Sequence, residues 1–362
     1  LDRTRQNEKN EKKEYTIRDV ARLAGVSPAT VGRVIGGYGS VSAKTTRAVL
    51  EAAKKLNYFP NAIAQSMKKK NTYTIGLIIA NICNPYFSSI ARAVEETLVK
   101  HGYNMIICNT DEDLEREISY IKALYEKRID GMMIASALKG NEKSREEIER
   151  IYKGPIPTVI IDREIPGLDL PTVTSDNFRG AYDATTHLIR LGHRRIGVIG
   201  TRISTLHLRV EGYKKALEDN RIPFDEFLIA NKGVENTRVG DVQEGMVITK
   251  RMLEDPELRP TAIITLNTLL TQGALLAIDE LGLKIPDDIA VIGWDDFELA
   301  PILKSPLTVV KQAAYNIASI ATNMLLDLIN DMKNESTEEK KVVLSTQLVI
   351  RESCGYKRKR NE

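Results

Sequence analysis

Polar residues recur in this chain wherever a short apolar run stops. Asn84 leads Pro85-Tyr86-Phe87 after one run, Asn109-Thr110-Asp111 closes a second, Ser136 a third and Asp162-Arg163 a fourth. Asn267 and Asp295 end two more, and Arg209 opens a helical stretch beyond another. Amide, carboxylate and guanidinium groups in fixed places pair with hydroxyls, and the rings of Tyr86 and Phe87 suit the apolar faces of a sugar, so the set fits a polyol. Each residue alone has a structural alternative: Asp162-Arg163 as a strand-end ion pair, Asn84-Pro85 as a turn, Tyr86-Phe87 as core.

Nothing comparable points to turnover. His193, in Leu191-Gly192-His193-Arg194-Arg195, reads as the end of a helix capped by glycine and basic side chains, and His101 before Gly102 is the same case. His187 and His207 have no carboxylate or cysteine at ligand spacing, so no metal is expected. Neither G-x-G-x-x-G after a strand nor G-x-x-x-x-G-K-S/T is present, and a parallel sheet alone is no argument for an enzyme. The expectation is a binding protein without catalytic residues or cofactor.

A second chemistry sits near the N-terminus. Val20, Ala21 and Ala24 make one apolar stripe at helical spacing, and Val31, Val34 and Ile35 make another. Gly25 can end the first helix in the left-handed conformation, Ser27 can cap the second, and Pro28 suits its first turn, which yields a helix-turn-helix. The second helix, with small residues at its start, fits the DNA major groove: Pro28 and Ala29 can touch a thymine methyl, Thr30 a phosphate or base edge, and Arg33 a guanine or phosphate. The alternative is an ordinary helical hairpin with Arg33 solvated. A third helix from Ser42, with Val49, Leu50, Ala53 and Leu56 as its buried face, would complete a three-helix domain. Pro60 can start one more short helix on which Ala64 and Met67 share a face, followed by Lys68, Lys69 and Lys70. An apolar side chain beside positive charge is what a minor-groove wedge needs.

The polar groups of the longer C-terminal region need a scaffold to hold them. Strands are expected at 74–80, 105–108, 131–135, 158–161, 196–199, 262–266 and 289–293, with amphipathic helices at 88–100, 114–126, 181–191, 210–219 and 270–281. Continuous apolar strands alternating with helices indicate parallel sheets covered on both faces, and ligands of such sheets bind beyond the carboxyl ends of the strands, where the polar set lies. At 362 residues the chain suits a head plus a two-lobed body.

Charge is divided accordingly. Through Asn71 there are 15 Lys plus Arg against 6 Asp plus Glu, a net of +9, and the remainder carries 37 against 43, a net of −6. A basic head on an acidic body favours a nucleic-acid partner for the head only. Residues 1–14, charged throughout, read as a disordered arm and not a signal peptide, and no apolar run approaches a membrane span. Cys83, Cys108 and Cys354 are too scattered for a disulfide framework, so a cytoplasmic protein is expected.

The head resembles that of the LacI/GalR transcriptional regulators, in Thr16-Ile17, Asp19-Val20-Ala21, Gly25-Val26-Ser27, Ala29-Thr30-Val31, Arg33-Val34, Val41-Ser42, Tyr58, Pro60-Asn61 and Ala64. The body carries the likeness on, in Ile75-Gly76-Leu77-Ile78, Asn84-Pro85-Tyr86-Phe87, Asn109-Thr110-Asp111, Ile161-Asp162-Arg163, Gly192-His193-Arg194-Arg195-Ile196-Gly197 and Gly293-Trp294-Asp295-Asp296, and is similar to ribose-type periplasmic sugar-binding proteins. The resemblance implies an all-α helix-turn-helix head over 15–59, a hinge helix or linker over 60–71 that folds when two copies meet on the operator, an α/β two-lobed body with parallel sheets over 72–354, and a charged tail over 355–362. It places the first lobe at 72–171 plus about 300–330 and the second at 172–299 plus about 331–354. DNA contacts would come from Thr16, Ser27, Pro28, Ala29, Thr30, Arg33, Ser42, Thr45, Tyr58, Asn61, Ala64 and Met67. Asn84, Tyr86, Phe87, Asp162, Arg163, Arg209, Asn267, Asp295 and Gln312 would line the effector cleft.

The partners implied are double-stranded operator DNA, a sugar or sugar acid as effector, with a purine or a phosphoprotein corepressor as the other option, and a second copy of the chain. With no leucine heptad after Cys354, a dimer is expected. Three positions depart from the family pattern. Gly32 replaces a serine, which weakens the recognition helix by roughly 0.5–1 kcal/mol; Met67 replaces the wedge leucine; and Thr268 replaces an aspartate beside Asn267.

Overall fold

The computed structural model describes residues 15–58, 71–138, 143–165, 167–203, 205–230, 233–235, 237–257, 259–331 and 341–356. The arm, the hinge segment with Asn61, Ala64, Met67 and its three lysines, and the tail beyond Tyr356 lie outside the described residues. Two compact units divide the chain, residues 1–72 and 73–362.

The first unit contains α1 (Ile17–Ala24), α2 (Pro28–Gly36) and α3 (Ala43–Lys55). Each start has a polar cap. The Asp19 carboxylate accepts the Thr16 N–H at 2.9 Å and its hydroxyl at 2.7 Å, while Ser27 Oγ accepts the Thr30 N–H at 3.1 Å and Ser42 Oγ that of Thr45 at 3.2 Å. Gly25 ends α1 at φ 66°, a conformation costly for residues with a Cβ. Val20, Ala21, Val31, Val49 and Ala52 form the small core. Leu50, expected inside, is 53% exposed. The stripe of α3 runs through 49, 52, 53 and 56, and Leu50 stands about 100° away from Val49 around the helix.

In the second unit the strands are β1 (Thr74–Ile79), β2 (Asn104–Asn109), β3 (Gly131–Ile134), β4 (Thr158–Asp162), β5 (Thr172–Ser175), β6 (Ile196–Ile199), β7 (Ile229–Ala230), β8 (Ala262–Thr265), β9 (Ala290–Trp294), β10 (Thr308–Lys311), β11 (Lys341–Leu344) and β12 (Gln347–Val349). The helices are α4 (Pro85–Lys100), α5 (Leu114–Glu126), α6 (Arg145–Tyr152), α7 (Asn177–Arg190), α8 (Leu206–Asp219), α9 (Val242–Glu254), α10 (Thr268–Glu280) and α11 (Ala314–Asp331). They build two six-stranded sheets, ordered β11-β5-β4-β3-β1-β2 and β12-β10-β9-β8-β6-β7, parallel throughout except for the β10–β12 pair. Alternation along each strand feeds both faces. Ile75, Leu77 and Ile79 pack under α4 and α11, whereas Ile78 packs under α5 and α6. The second sheet is covered by α7 and α8 on one face and α9 and α10 on the other.

The lobe boundaries differ from the sequence reading. Thr172–Ser175, assigned there to the second lobe, pairs with β4 and β11 in the first sheet. The stretch from 300 to Lys311 stays with the second sheet through β10, and only α11 returns to pack on the first. Lys341–Leu344, assigned to the second lobe, is the edge strand of the first sheet. Crossings therefore fall between β5 and α7, between β10 and α11, and between β11 and β12. The cause is hydrogen bonding to partners far away in sequence: β5, Thr-Val-Thr-Ser, and β11, Lys-Val-Val-Leu, carry too little apolar pattern to announce their sheet.

Candidate functional site

On the head, Ser27, Pro28, Ala29 and Arg33 are exposed at the start and along one side of α2, with Thr16 and Ser42 exposed at the starts of α1 and α3. Thr30 and Thr45 are half-buried, each hydroxyl 2.9 Å from that of its capping serine, and Tyr58 packs against the core. The structure thus brings Ser27, Pro28, Ala29 and Arg33 together as one presented face and gives Thr30, Thr45 and Tyr58 structural duties as well. It also accounts for Gly36, whereas nothing in the structure demands a glycine at Gly32. The Tyr38 ring lies along the glycine face of α2: a Cβ at Gly36 would fall 2.4 Å from that ring, and one at Gly32 would fall 3.4 Å from its hydroxyl. Packing of Tyr38 offsets part of the helix propensity that the glycines lose.

In the body, Asn84, Tyr86, Phe87, Asp162, Arg163, Arg209, Asn267, Asp295 and Gln312 all line one cavity at the carboxyl ends of the strands, between the two lobes. All but Asn267 are buried. The space they enclose is narrow, about 30 Å³, so a ligand of sugar size enters by parting the walls. Two aspartates face it from corresponding places, Asp162 at the end of β4 and Asp295 just after β9, with φ of 65° and 67°. Left-handed backbone at a non-glycine residue is a local cost that the surrounding structure must hold.

The two arginines are treated differently. Arg163 is clamped by Glu112, with both Nη–O distances 2.6 Å, and also donates to Asp162 at 3.1 Å and to the Ser136 carbonyl at 3.1 Å. Burial alone would make it easier to deprotonate, but Glu112 and Asp162 outweigh that and raise its pKa. Arg209 donates through Nε to Asn177 Oδ1 at 2.7 Å and through Nη1 to the Leu266 carbonyl, and its guanidinium sits 4.1 Å from the Trp294 ring centroid. Burial pulls its pKa down to about 10, against the fields of Asp295 and Asp162. Asp295 accepts from Gln312 Nε2 at 2.7 Å, yet burial pushes its carboxyl up to about 7. The Tyr86 phenol is raised by burial and by the nearby aspartates, Asp162 first.

Asn84 and Asn267 have the structural role as well: Asn84 Oδ1 caps α4 by accepting the Tyr86 N–H, and Asn267 Oδ1 caps α10 by accepting the Leu270 N–H. Thr268 lies buried beside Trp294 and Asp295, where a carboxylate would crowd an acid already short of compensation. The sequence reading missed Asn81, Glu112, Thr201, Ile203, Thr205, Val239, Gly240 and Leu269, which complete the lining. Glu112 alone had a signal, its place directly after Asn109-Thr110-Asp111. Among the lining residues, Thr205 Oγ1 and Gln312 Oε1 are buried without a hydrogen-bond partner among the described residues. No cluster of three or more His, Cys, Asp or Glu suited to a metal occurs among those residues, and none of their helices is long and apolar enough to cross a membrane.

Exposed groove-sized α2 on a capped three-helix head, joined to a paired-sheet body with a polar interlobe cavity, defines a DNA-binding regulator with a small-molecule site. Comparison with known proteins agrees. The model for bacterial regulatory proteins of the lacI family matches residues 16–61, and that for a periplasmic binding protein-like domain matches 185–354. The chain is 33% identical over 341 residues to the HTH-type transcriptional repressor PurR of Haemophilus influenzae (strain PittEE), covering 93% of this chain and 98% of that one. It is 33% identical over 342 residues to the HTH-type transcriptional regulator DegA of Bacillus subtilis (strain 168), covering 94% and 98%. Among solved structures, the lac repressor dimer bound to operator and the anti-inducer ONPF matches with a TM-score of 0.79 at 26% identity, covering 94% of this chain and 99% of that one. The complex of the transcriptional regulator CelR with cellobiose matches with a TM-score of 0.66 at 28% identity, covering 94% and 99%. The chain belongs to the LacI family of bacterial regulatory proteins. It is a DNA-binding transcription regulator whose DNA affinity is under effector control.

Proposed function

We propose that the protein is a repressor whose operator affinity is set by a sugar or sugar-derived polyol held between the two lobes of the body. The observation that carries this reading is the pair Asp162 and Asp295, one from each lobe, facing a cavity in which polar atoms of Thr205 and Gln312 lack partners among the described residues. Hydroxyl groups donate to both carboxylates at once, accept from Arg209, and satisfy those atoms, so such a ligand gains most when it touches both walls. Two copies bind a pseudo-palindromic operator, each placing α2 in the major groove, and the segment from Pro60 to Lys69 supplies the minor-groove wedge. The dimeric, operator-bound lac repressor supports that arrangement. Lobe closure on the ligand and pairing of the two hinge segments are linked equilibria, with a coupling of ~1–3 kcal/mol, roughly 5- to 150-fold in operator affinity.

Similarity to PurR favours a purine as the second reading. Against it, the aromatic rings of the lining, Tyr86 and Phe87, come from the first lobe only, and the second-lobe aromatic Trp294 is covered by Arg209, so a flat base would meet a ring on one side. Calorimetry against pentoses, hexoses, disaccharides, uronates and purine bases separates the two: heat with a sugar and none with purines is expected, and the reverse would sink the polyol reading. For the head, Arg33→Ala should lower affinity for an operator selected from random duplexes more than affinity for bulk DNA; equal losses in gel shifts would remove Arg33 from base reading.

A further inference from the structure

The cavity contains a group that neither the polar pattern nor the family likeness brought forward. Asp111 and Glu112 sit consecutively in the left-handed region, φ 54° and 61°, a strained pair for residues with side chains. That excursion swings Glu112 back onto Arg163, where the carboxylate meets the guanidinium along both Nη atoms at 2.6 Å, with the two side chains only 8% and 4% exposed. The neighbouring bonds hold the turn: Asn109 Nδ2 donates to Asp111 at 2.7 Å, and Arg116 donates to the other Asp111 oxygen at 2.7 Å.

Resting on the polyol reading, we infer that Glu112 is a specificity-determining residue which occupies the carboxylate-binding edge of Arg163 and so restricts the cleft to neutral, hydroxyl-rich ligands. Bidentate pairing with a guanidinium is the strongest grip a protein has on a ligand carboxylate or phosphate. Here the chain's own carboxylate already holds that edge. Of the five N–H groups of Arg163, the two towards Glu112, the one to Asp162 and the one to the Ser136 carbonyl are committed. Charge points the same way. The two guanidiniums of the lining, Arg163 and Arg209, are already matched by Glu112 and Asp162, so whichever form Asp295 takes the cleft holds no excess positive charge to balance an anionic ligand. A uronate must displace Glu112 into a buried space without a second cation, since Arg209 is stacked on Trp294 and already faces Asp295 and Asp162.

The test measures binding of matched neutral and acidic probes, glucose with glucuronate, galactose with galacturonate, and inorganic phosphate, to the full-length protein by calorimetry and thermal shift. Wild type should favour each neutral sugar that binds over its uronate by tenfold or more. Glu112→Gln should gain at least tenfold in affinity for a uronate or phosphate, Glu112→Asp should restore rejection, and the double variant Glu112→Gln/Arg163→Gln should lose the gain. DNA binding by each variant reports that the chain is folded. Wild type preferring the uronate, or Glu112→Gln acquiring no anion affinity, would overturn the inference and leave the polyol reading standing. Failure of every neutral sugar on wild type, with anion affinity still appearing in Glu112→Gln, would instead sink the polyol reading and support the role of Glu112.

Discussion

The two lobes of the body are built to one plan and equipped differently. Strand for strand, β11-β5-β4-β3-β1-β2 corresponds to β12-β10-β9-β8-β6-β7, and the only antiparallel pair among the described strands, β10 with β12, sits at one edge. Even buried acids correspond. In the first lobe Glu117, near the start of α5, accepts from Ser136 at 2.9 Å, from the Ala137 N–H at 2.6 Å and from Tyr152. In the second, Glu244, in the first turn of α9, accepts from the Gly240 N–H. Burial raises both carboxyls. Each acid ties the start of a helix to a loop at the cleft end of its sheet. The cleft chemistry is shared only in part: each lobe brings an aspartate and a helix-capping asparagine, but the first adds rings and an arginine neutralised by Glu112, and the second adds hydroxyls and an arginine without a carboxylate at ion-pair distance among the described residues. A duplicated scaffold keeps its geometry because packing is unforgiving, while residues that end strands are free to diverge.

The largest effect expected from that contrast is at Arg209. Arg209→Ala should weaken effector binding at least 100-fold, since it removes a buried cation and leaves Asp295 with less compensation, and operator binding should persist. Asp162→Ala should act similarly from the other wall. An effector response surviving either change in a gel-shift titration would relocate the pocket.

Next comes pH. The Asp295 carboxyl is raised from 3.8 to about 7, so the folded protein keeps a proton that the unfolded chain has released. The stability that goes with that proton is complete below about pH 4 and is lost as pH rises through 7. Relative to wild type, Asp295→Asn should therefore gain stability between pH 4 and pH 8, by at most on the order of 4 kcal/mol, read from urea unfolding. In wild type, a ligand that donates a hydroxyl to this carboxylate should lose up to about tenfold in affinity per unit below pH 7. A flat profile would show that the second-lobe acid is not the one under strain.

Glu117→Ala should cost on the order of 3 kcal/mol, because Ser136, Tyr152 and the Ala137 N–H lose their acceptor inside the first lobe. Glu244→Ala should cost a similar amount, because the Gly240 and Val234 N–H groups and the Thr201 hydroxyl lose their acceptor in the second lobe. Clearly unequal losses in urea unfolding would mean that the lobes are braced differently after all.

Legibility in the sequence has physical causes. Strands β1, β3, β4, β6, β8 and β9 are legible because they are apolar on both faces, and α4, α5, α7, α8 and α10 because one stripe of each repeats at helical spacing. The runs at β5, β7, β10, β11 and β12 are short or mixed in character, and α6, α9 and α11 are absent from the sequence reading. Of the cleft, the residues ending strong strands were readable, while Thr201, Thr205 and Gly240 belong to loops without an apolar pattern, Gly240 being held by the Asn267 amide 27 positions on.

Local chemistry therefore settled a good deal by itself. Capped, glycine-terminated helices can form from their own residues, apolar runs must be buried, and charged groups directly after such runs must emerge at one end of a sheet. Which edge strand joins which sheet, and whether a given arginine meets a partner, depends on groups dozens to hundreds of residues apart. Glu112 and Arg163 are 51 positions from each other, and β11 reaches back to β5 across more than half of the body. Such pairings are chosen when the whole core closes, because only then do hydrogen bonds and desolvated charges find out what else shares their space.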